Sequence, residues 1–348
     1  MSVKLTGSTS LKSEIGEISS QPKYSSYRLR SRTHLLYKTK RGKMFNGPSE
    51  DILQSYYFRK YYGKVNLILT SPPFPLNRKK RYGNYNGEEY KKWLSGFANL
   101  FRKLLTADGS IVIEIGNAWT PGSPEMATLG LESLISLRQE GDFKLCQQFV
   151  SYNRARLPGP AQWVTVKRVR VKDSYTNIWW MAKNANPKAD NRRVLKPYSS
   201  SMVELLNTGK YNSGYRPSEH HVGERSFLKN NGGAIPGNVL EISNTRSTDQ
   251  YIKYCKETRN PLHPARMSEV IPDFFIRFLT EPGDLVLDPF AGSNVTGASA
   301  ERLGRYWISI ERDPIYAQTS HSRFSRNVLT WFPKEEISST RRGRADSK

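Results

Sequence analysis

Four short runs constrain this chain more than any other feature: Val65-Asn-Leu-Ile-Leu-Thr70, Ser110-Ile-Val-Ile-Glu-Ile115, Leu285-Val-Leu287 and Arg305 to Ile310. Each is apolar for most of its length and too short for an independent helix, so each reads as a strand covered on both faces. Around them the period changes to that of a helix. Trp93, Phe97, Leu100, Phe101 and Leu104 share a face over Glu88 to Leu105, and Met126, Leu129, Leu131, Leu134 and Leu137 make a broader one over Pro124 to Gln139. Val270 to Thr280, Val295 to Leu303 and Ile315 to Phe324 read as helices, and Phe143 to Tyr152 and Thr176 to Ala182 as further strands. Strands alternating with helices predict an α/β fold on a mostly parallel sheet.

The alternation stops over residues 184–260, which are rich in Asn, Ser, Gly, Pro and basic residues, and then resumes. One sheet built from both ends of the chain around an inserted module is the expected organisation. Its parts would be a basic, partly mobile arm (1–43), one half of the sheet domain (44–183), a loop-rich module (184–260), the other half (261–330) and a disordered tail (331–348). The arm holds ten Lys and Arg against Glu14 and Glu17, which fits either a solvated tail or a segment lying on a polyanion.

Lys and Arg total 54 against 31 Asp and Glu, a net charge of +23 over 348 residues. Such an excess draws in polyanions, nucleic acid first and an anionic membrane surface second. No apolar run approaches the ~18 residues of a membrane span, and the N-terminus shows no apolar signal core. Cys146 and Cys255 stand far apart without paired spacing, so neither a disulfide framework nor a metal site is expected, and a cytoplasmic setting is.

Leu285 to Gly297 reads as strand, acid, glycine-containing turn and helix. In an open α/β sheet ligands sit beyond the carboxyl ends of the strands. Asp288 stands at such an end, where it can accept hydrogen bonds from a cationic group, and Glu311 closes the next strand, where a carboxylate suits ribose hydroxyls. The same pattern would serve a dinucleotide-binding dehydrogenase, or a tight turn with a capping acid. A second strand, Val65 to Leu69, runs into Ser71-Pro72-Pro73-Phe74. Consecutive prolines fix φ and remove N–H donors, so this loop holds its carbonyls and the Ser71 hydroxyl in definite directions.

Together Asp288-Pro289-Phe290-Ala291-Gly292-Ser293-Asn294 and Ser71-Pro72-Pro73-Phe74 resemble the two signature motifs of DNA amino-methyltransferases dependent on S-adenosylmethionine (AdoMet). The family commonly has Gly where Asn294 stands, and Asn tolerates the left-handed backbone such a turn needs. His263-Pro264-Ala265-Arg266 resembles the segment that closes over the methionine end of AdoMet. With the Ser-Pro-Pro loop preceding the AdoMet turn, the chain resembles the circularly permuted β group over residues 45–325. That resemblance implies a Rossmann-like sheet with residues 184–260 as target-recognition module. Ser-Pro-Pro preceded by Thr70 points to N4 of cytosine, as in type II restriction–modification methylases, with N6 of adenine as the alternative. Arg78-Lys-Lys-Arg-Tyr-Gly-Asn84, Val171-Lys-Asp173 with Trp179-Trp180, and Asn231 to Asn238 are similar to the N4-cytosine members.

The resemblance further implies that the base is flipped out of duplex DNA and that Phe74 stacks on it. The Ser71 hydroxyl and the Pro72 carbonyl would accept its N–H bonds. No metal and no covalent base adduct is implied. The partners would be double-stranded DNA and a restriction endonuclease, with the enzyme a monomer in a bacterial or archaeal cytoplasm. Arg78, Lys79, Lys80 and Arg81 follow the catalytic loop. Between Arg154 and Lys172 lie six basic residues and no acid, among them Arg168, Arg170 and Lys172; both runs are expected on DNA phosphates. One departure stands out. Where the family often has Gly-Asp-Ser, whose Asp takes the adenine amino group, this chain has Gly47-Pro48-Ser49, so either Glu50 or Asp51 substitutes or AdoMet is bound less tightly than is usual in the family. A DNA-binding regulator with a vestigial site is the alternative of another class, and Pro48 is its sole support.

Overall fold

The computed structural model describes residues 34–74, 87–242, 249–324 and 330–332. The strands are β1 (Leu35–Lys38), β2 (Gly42–Asn46), β3 (Val65–Thr70), β4 (Leu105–Ile115), β5 (Lys144–Tyr152), β6 (Tyr175–Ala182), β7 (Val239–Glu241), β8 (Leu285–Asp288), β9 (Tyr306–Glu311) and β10 (Thr330–Trp331). They form one ten-stranded sheet in the order β7-β5-β6-β4-β3-β8-β9-β2-β1-β10. Its centre, β4-β3-β8-β9-β2, is parallel throughout. The apolar runs that define these strands are buried on both sides for this reason.

The helices are α1 (Ser49–Gln54), α2 (Gly87–Ser95), α3 (Ala98–Leu104), α4 (Leu129–Glu140), α5 (Ser200–Thr208), α6 (Gln250–Glu257), α7 (Val270–Leu279), α8 (Val295–Arg302) and α9 (Pro314–Thr319). Tyr90, Leu94, Phe101 and Leu134 of α2–α4 pack with Ile68, Ile111 and Ile113 on one face of the sheet. Ile271, Phe275, Ala300 and Ala317 of α7–α9 pack with Leu67, Leu69, Val112 and Val286 on the other. Successive residues of β3 and β4 thus enter opposite cores, as strand geometry requires.

Some expectations need correction, and the direction of β6, which the sequence leaves open, is decided by its pairing. The single helix over Glu88 to Leu105 is two, because the chain turns at Gly96-Phe97, where the Phe97 N–H bonds to the Leu94 carbonyl (3.2 Å). Met126 is not helical; it pairs with Trp119 in a two-stranded bridge, and α4 begins at Leu129. β6 is antiparallel to both β4 and β5, since the return between β5 and β6 carries no crossover helix to reverse the chain direction. Finally, residues 35–43, assigned to a basic arm, belong to the sheet: Tyr37, Met44 and Phe45 are buried while the lysines between them face outward. Residues 1–33 and 333–348 lie outside the described residues, and Trp331, assigned to the tail, pairs with Tyr37 in β10.

Residues 184–242 stay tied to the sheet. The Asp190 N–H bonds to the Phe278 carbonyl (2.9 Å), Lys188 pairs with Asp284 (2.7 Å), and β7 runs parallel to β5. The segment does not separate as a compact unit of its own.

Candidate functional site

Parallel pairing brings the carboxyl ends of β3, β8 and β9 to one edge of the sheet, with Thr70, Asp288 and Glu311 as their last residues. β3 leads to helices on one face and β8 to α8 on the other, so a crevice opens between them. The Thr70 hydroxyl donates to Asp288 Oδ1 (2.7 Å) across that crevice. Ser71, Pro72, Pro73, Phe74, Asp288, Pro289, Phe290, Gly292, Ser293, Glu311 and His263 all line one cleft with an empty volume of about 1060 Å³ out to its open mouth. Two expected contacts are not lining residues. Pro264 is absent from the wall, and Asn294 is fully buried behind it.

The turn after β8 is tightly determined. Gly292 has φ +51°, and a Cβ there would lie 2.9 Å from His263 Nε2, so only glycine fits. Its N–H donates to Glu311 Oε2 (2.7 Å). Asn294 adopts the left-handed conformation expected of it (φ 57°, ψ 44°), and its Oδ1 caps α8 by accepting from the Gly297 N–H (3.1 Å). Asn294 therefore shapes the turn from behind the cleft wall. The Ser293 carbonyl accepts from Arg323 Nε (2.6 Å). Phe290 is wedged between Trp93 (centroids 5.2 Å apart) and Phe97 (5.2 Å), which fixes an aromatic wall.

Asp288 and Glu311 are buried carboxylates, and among the described residues neither forms an ion pair. Burial pushes Asp288 up to about 6, against the opposing hydrogen bonds from Thr70 and the Phe290 N–H. It pushes Glu311 to about 7, despite the N–H groups of Asp313 and Gly292, with the charges of Asp313 and Asp288 adding to the rise. Both carboxyls are thus held above their ordinary range by burial, without a cation beside them among the described residues.

On the other side of the cleft, Phe74 packs on Gly116, where a Cβ would come within 2.5 Å of its ring. Glu114 is the site residue that sequence reasoning did not single out. It is buried, accepts from the Thr176 hydroxyl (2.9 Å) and from the Ser71 hydroxyl, and burial raises its pKa. A signal existed: Glu114 is the one charged residue in the strand Ser110-Ile-Val-Ile-Glu-Ile115, and a carboxylate in a doubly covered strand needs a reason to be there. Near the entrance, Ser49 donates to the Pro289 carbonyl, and Glu50 lines the cleft and accepts from Trp93 Nε1. Asp51 is exposed and is not part of the wall.

Of the expected DNA contacts, Arg78 to Arg81 lie outside the described residues. Arg168, Arg170 and Lys172 sit on the return between β5 and β6 at the same edge of the sheet as the cleft. Among the described residues no group of three or more His, Cys, Asp and Glu could hold a metal ion, and no helix is long and apolar enough to cross a membrane.

A cleft at a strand-end switch point, with a proline-rigid loop on one wall and a glycine turn flanked by two buried carboxylates on the other, is shared with a known class. The profile of the DNA methylase family matches residues 65–322, and this chain belongs to that family. It is 43% identical over 296 residues to the type II methyltransferase M.PvuII of Proteus hauseri, covering 84% of this chain and 87% of that protein. It is 25% identical over 296 residues to the type II methyltransferase M.BglI of Bacillus subtilis, covering 77% and 81% respectively. The solved structure of PvuII DNA methyltransferase (cytosine-N4-specific) superimposes with a TM-score of 0.68 at 37% identity, over 85% of this chain and 90% of that one.

Proposed function

We propose that this protein transfers a methyl group from AdoMet to N4 of a cytosine flipped out of duplex DNA, as the modification enzyme of a type II restriction–modification system. The observation that carries the reading is the 2.7 Å hydrogen bond from Thr70 to Asp288, which joins the Ser-Pro-Pro loop and the glycine turn in one cleft. The similarity to a cytosine-N4-specific enzyme over most of both chains supports the choice of base.

The residues present fit AdoMet. Its ammonium would set a cation beside Asp288, its ribose hydroxyls would add donors to Glu311, and Phe290 offers a face for its adenine. Glu50, which lines the cleft where Asp51 does not, takes the adenine amino group in place of the acid that Pro48 replaces. His263 lies over the turn at the methionine end. When bound, AdoMet supplies an electrophilic methyl group on a sulfonium.

The chain does the rest. The lone pair of an exocyclic amine is delocalised into the base, so the nitrogen is a poor nucleophile. Ser71 donates its proton to Glu114, which leaves its oxygen lone pairs for an N–H of the amine; the Pro72 carbonyl accepts the other. Holding both N–H bonds out of the base plane localises the lone pair on nitrogen and aims it. The proton released from nitrogen passes to the Ser71 oxygen as the Ser71 proton passes to Glu114. Its burial-raised pKa makes that carboxylate a better acceptor. Phe74, held against Gly116, stacks on the extruded base.

Residues 184–260 act as the target-recognition module, and Lys167 and Arg168 on the basic return between β5 and β6 meet the phosphates. The enzyme works as a monomer on each half of a palindromic site, in company with a restriction endonuclease. Digestion of DNA from an expressing host to nucleosides, followed by mass spectrometry, tests the assignment. N4-methylcytosine is expected. N6-methyladenine would overturn the choice of base, and unmodified DNA would overturn the methyl transfer.

A further inference from the structure

The return between β5 and β6, residues 153–174, is a framed loop standing beside the cleft. Its feet are one residue from the catalytic wall. Asn117, next to the Gly116 that supports Phe74, donates to Asp173 Oδ1 (2.8 Å), and Thr176 hydrogen-bonds Glu114. The loop also holds its own shape. Asn153 N–H bonds to the Ser174 carbonyl (2.8 Å), Asp173 N–H to the Gly159 carbonyl (3.1 Å) and Val169 N–H to the Trp163 carbonyl (2.9 Å). Two of the cations expected on DNA act as braces here. The Arg170 guanidinium lies 3.9 Å from the Trp119 ring centre and donates to the Pro124 carbonyl, and Lys172 Nζ donates to the carbonyls of Arg154 (2.8 Å) and Arg156 (3.3 Å).

This rigid frame presents three valines to solvent: Val166 is 67% exposed, Val169 62% and Val171 86%. Isolated exposed apolar residues need no explanation. Three β-branched side chains on one braced loop, with Lys167 and Arg168 between them and no acid from Arg154 to Lys172, are a different matter. Valine is stiff at χ1 and changes shape little on contact. A basic surface with stiff apolar points is complementary to phosphates flanking a base stack, where apolar wedges separate neighbouring bases.

Resting on the DNA-methylating reading above, we propose that this loop enters the duplex beside the target base pair. Val166, Val169 and Val171 wedge into the space the extruded base leaves, and Lys167 and Arg168 hold the adjoining phosphates. Extrusion costs unpairing and unstacking, least where the base is already mispaired. The wedge lowers that cost for a matched duplex and is superfluous for a mismatched one.

The test is single-turnover methylation of two duplexes carrying the site mapped from methylated cytosines in an expressing host. One duplex is fully matched, and the other has an abasic position opposite the target. The triple variant Val166→Ala, Val169→Ala, Val171→Ala is compared with the wild-type protein, with AdoMet affinity and thermal stability as controls for the fold. The expected result is a loss of roughly tenfold or more on the matched duplex, with a rate within about threefold of wild type on the abasic one. Equal losses on both duplexes, or no loss on the matched one, would overturn the wedge while leaving methyl transfer intact. A wild-type protein inactive on both would overturn the underlying reading, and the wedge with it.

Discussion

Replacing Glu311 by Gln tests whether the cleft is electrostatically incomplete without its ligand. In the folded chain burial holds this carboxyl at about 7, against an ordinary value of 4.5. Between those two pH values the unfolded chain has released the proton and the native state keeps it, so native stability falls as pH rises through the window and levels off above about 7. At about 1.4 kcal/mol per pH unit, the interval corresponds to on the order of 3 kcal/mol. Glutamine does not titrate and removes this dependence. Urea denaturation of the cofactor-free protein at pH 4.5, 6 and 8 measures it. The stability of Glu311→Gln relative to wild type should move in the variant's favour by about 3 kcal/mol between the lowest and highest pH. AdoMet should narrow the gap at pH 8 by binding the wild-type native state in preference. Parallel stability–pH curves for the two proteins would show that Glu311 titrates normally, and the argument for a ligand-completed site would fail.

Three further outcomes follow from the same geometry. Glu50→Gln should weaken AdoMet binding about tenfold in calorimetry, the scale of exchanging a charged hydrogen-bond acceptor for a neutral one, whereas Asp51→Asn should leave it unchanged. Gly292→Ala sets a side chain at φ +51° against His263, and should lower stability by about 1–3 kcal/mol in denaturant titrations and weaken AdoMet binding with it. Glu114→Gln keeps the fold and the cofactor affinity but cannot take the proton from Ser71; single-turnover methylation should slow about 10²-fold or more, and its dependence on pH should change.

The parallel core of the sheet and the two loops at its edge were legible in the sequence because their signals are local. β3, β4, β8 and β9 are continuous apolar runs, and the prolines after Thr70 and the glycine turn after Asp288 declare their backbone directly. β1 and β2 were not legible. Lys38, Lys40, Arg41 and Lys43 give that stretch the composition of a solvated arm, and only pairing with β9 and β10 decides that Tyr37, Met44 and Phe45 face inward. The direction of β6 was likewise hidden, because strand direction depends on the length and course of the return rather than on the strand itself. Within the site, position in the motif pointed to Asn294 as a ligand contact, and three-dimensional packing gives it the helix cap instead. Glu114 belongs to no local motif: its role exists only because β3 and β4 are neighbours, which sets a β4 carboxylate beside the Ser71 hydroxyl.

The account stands or falls on the two loops forming a single reaction site, and transfer of radiolabelled methyl from AdoMet to duplex DNA by three proteins measures that most directly. Wild type should label the DNA; Ser71→Ala should bind AdoMet as wild type does yet label at least roughly 10²-fold more slowly; Asp288→Asn should lose AdoMet binding and labelling together. Full-rate labelling by Ser71→Ala, or AdoMet binding undiminished in Asp288→Asn, would contradict it.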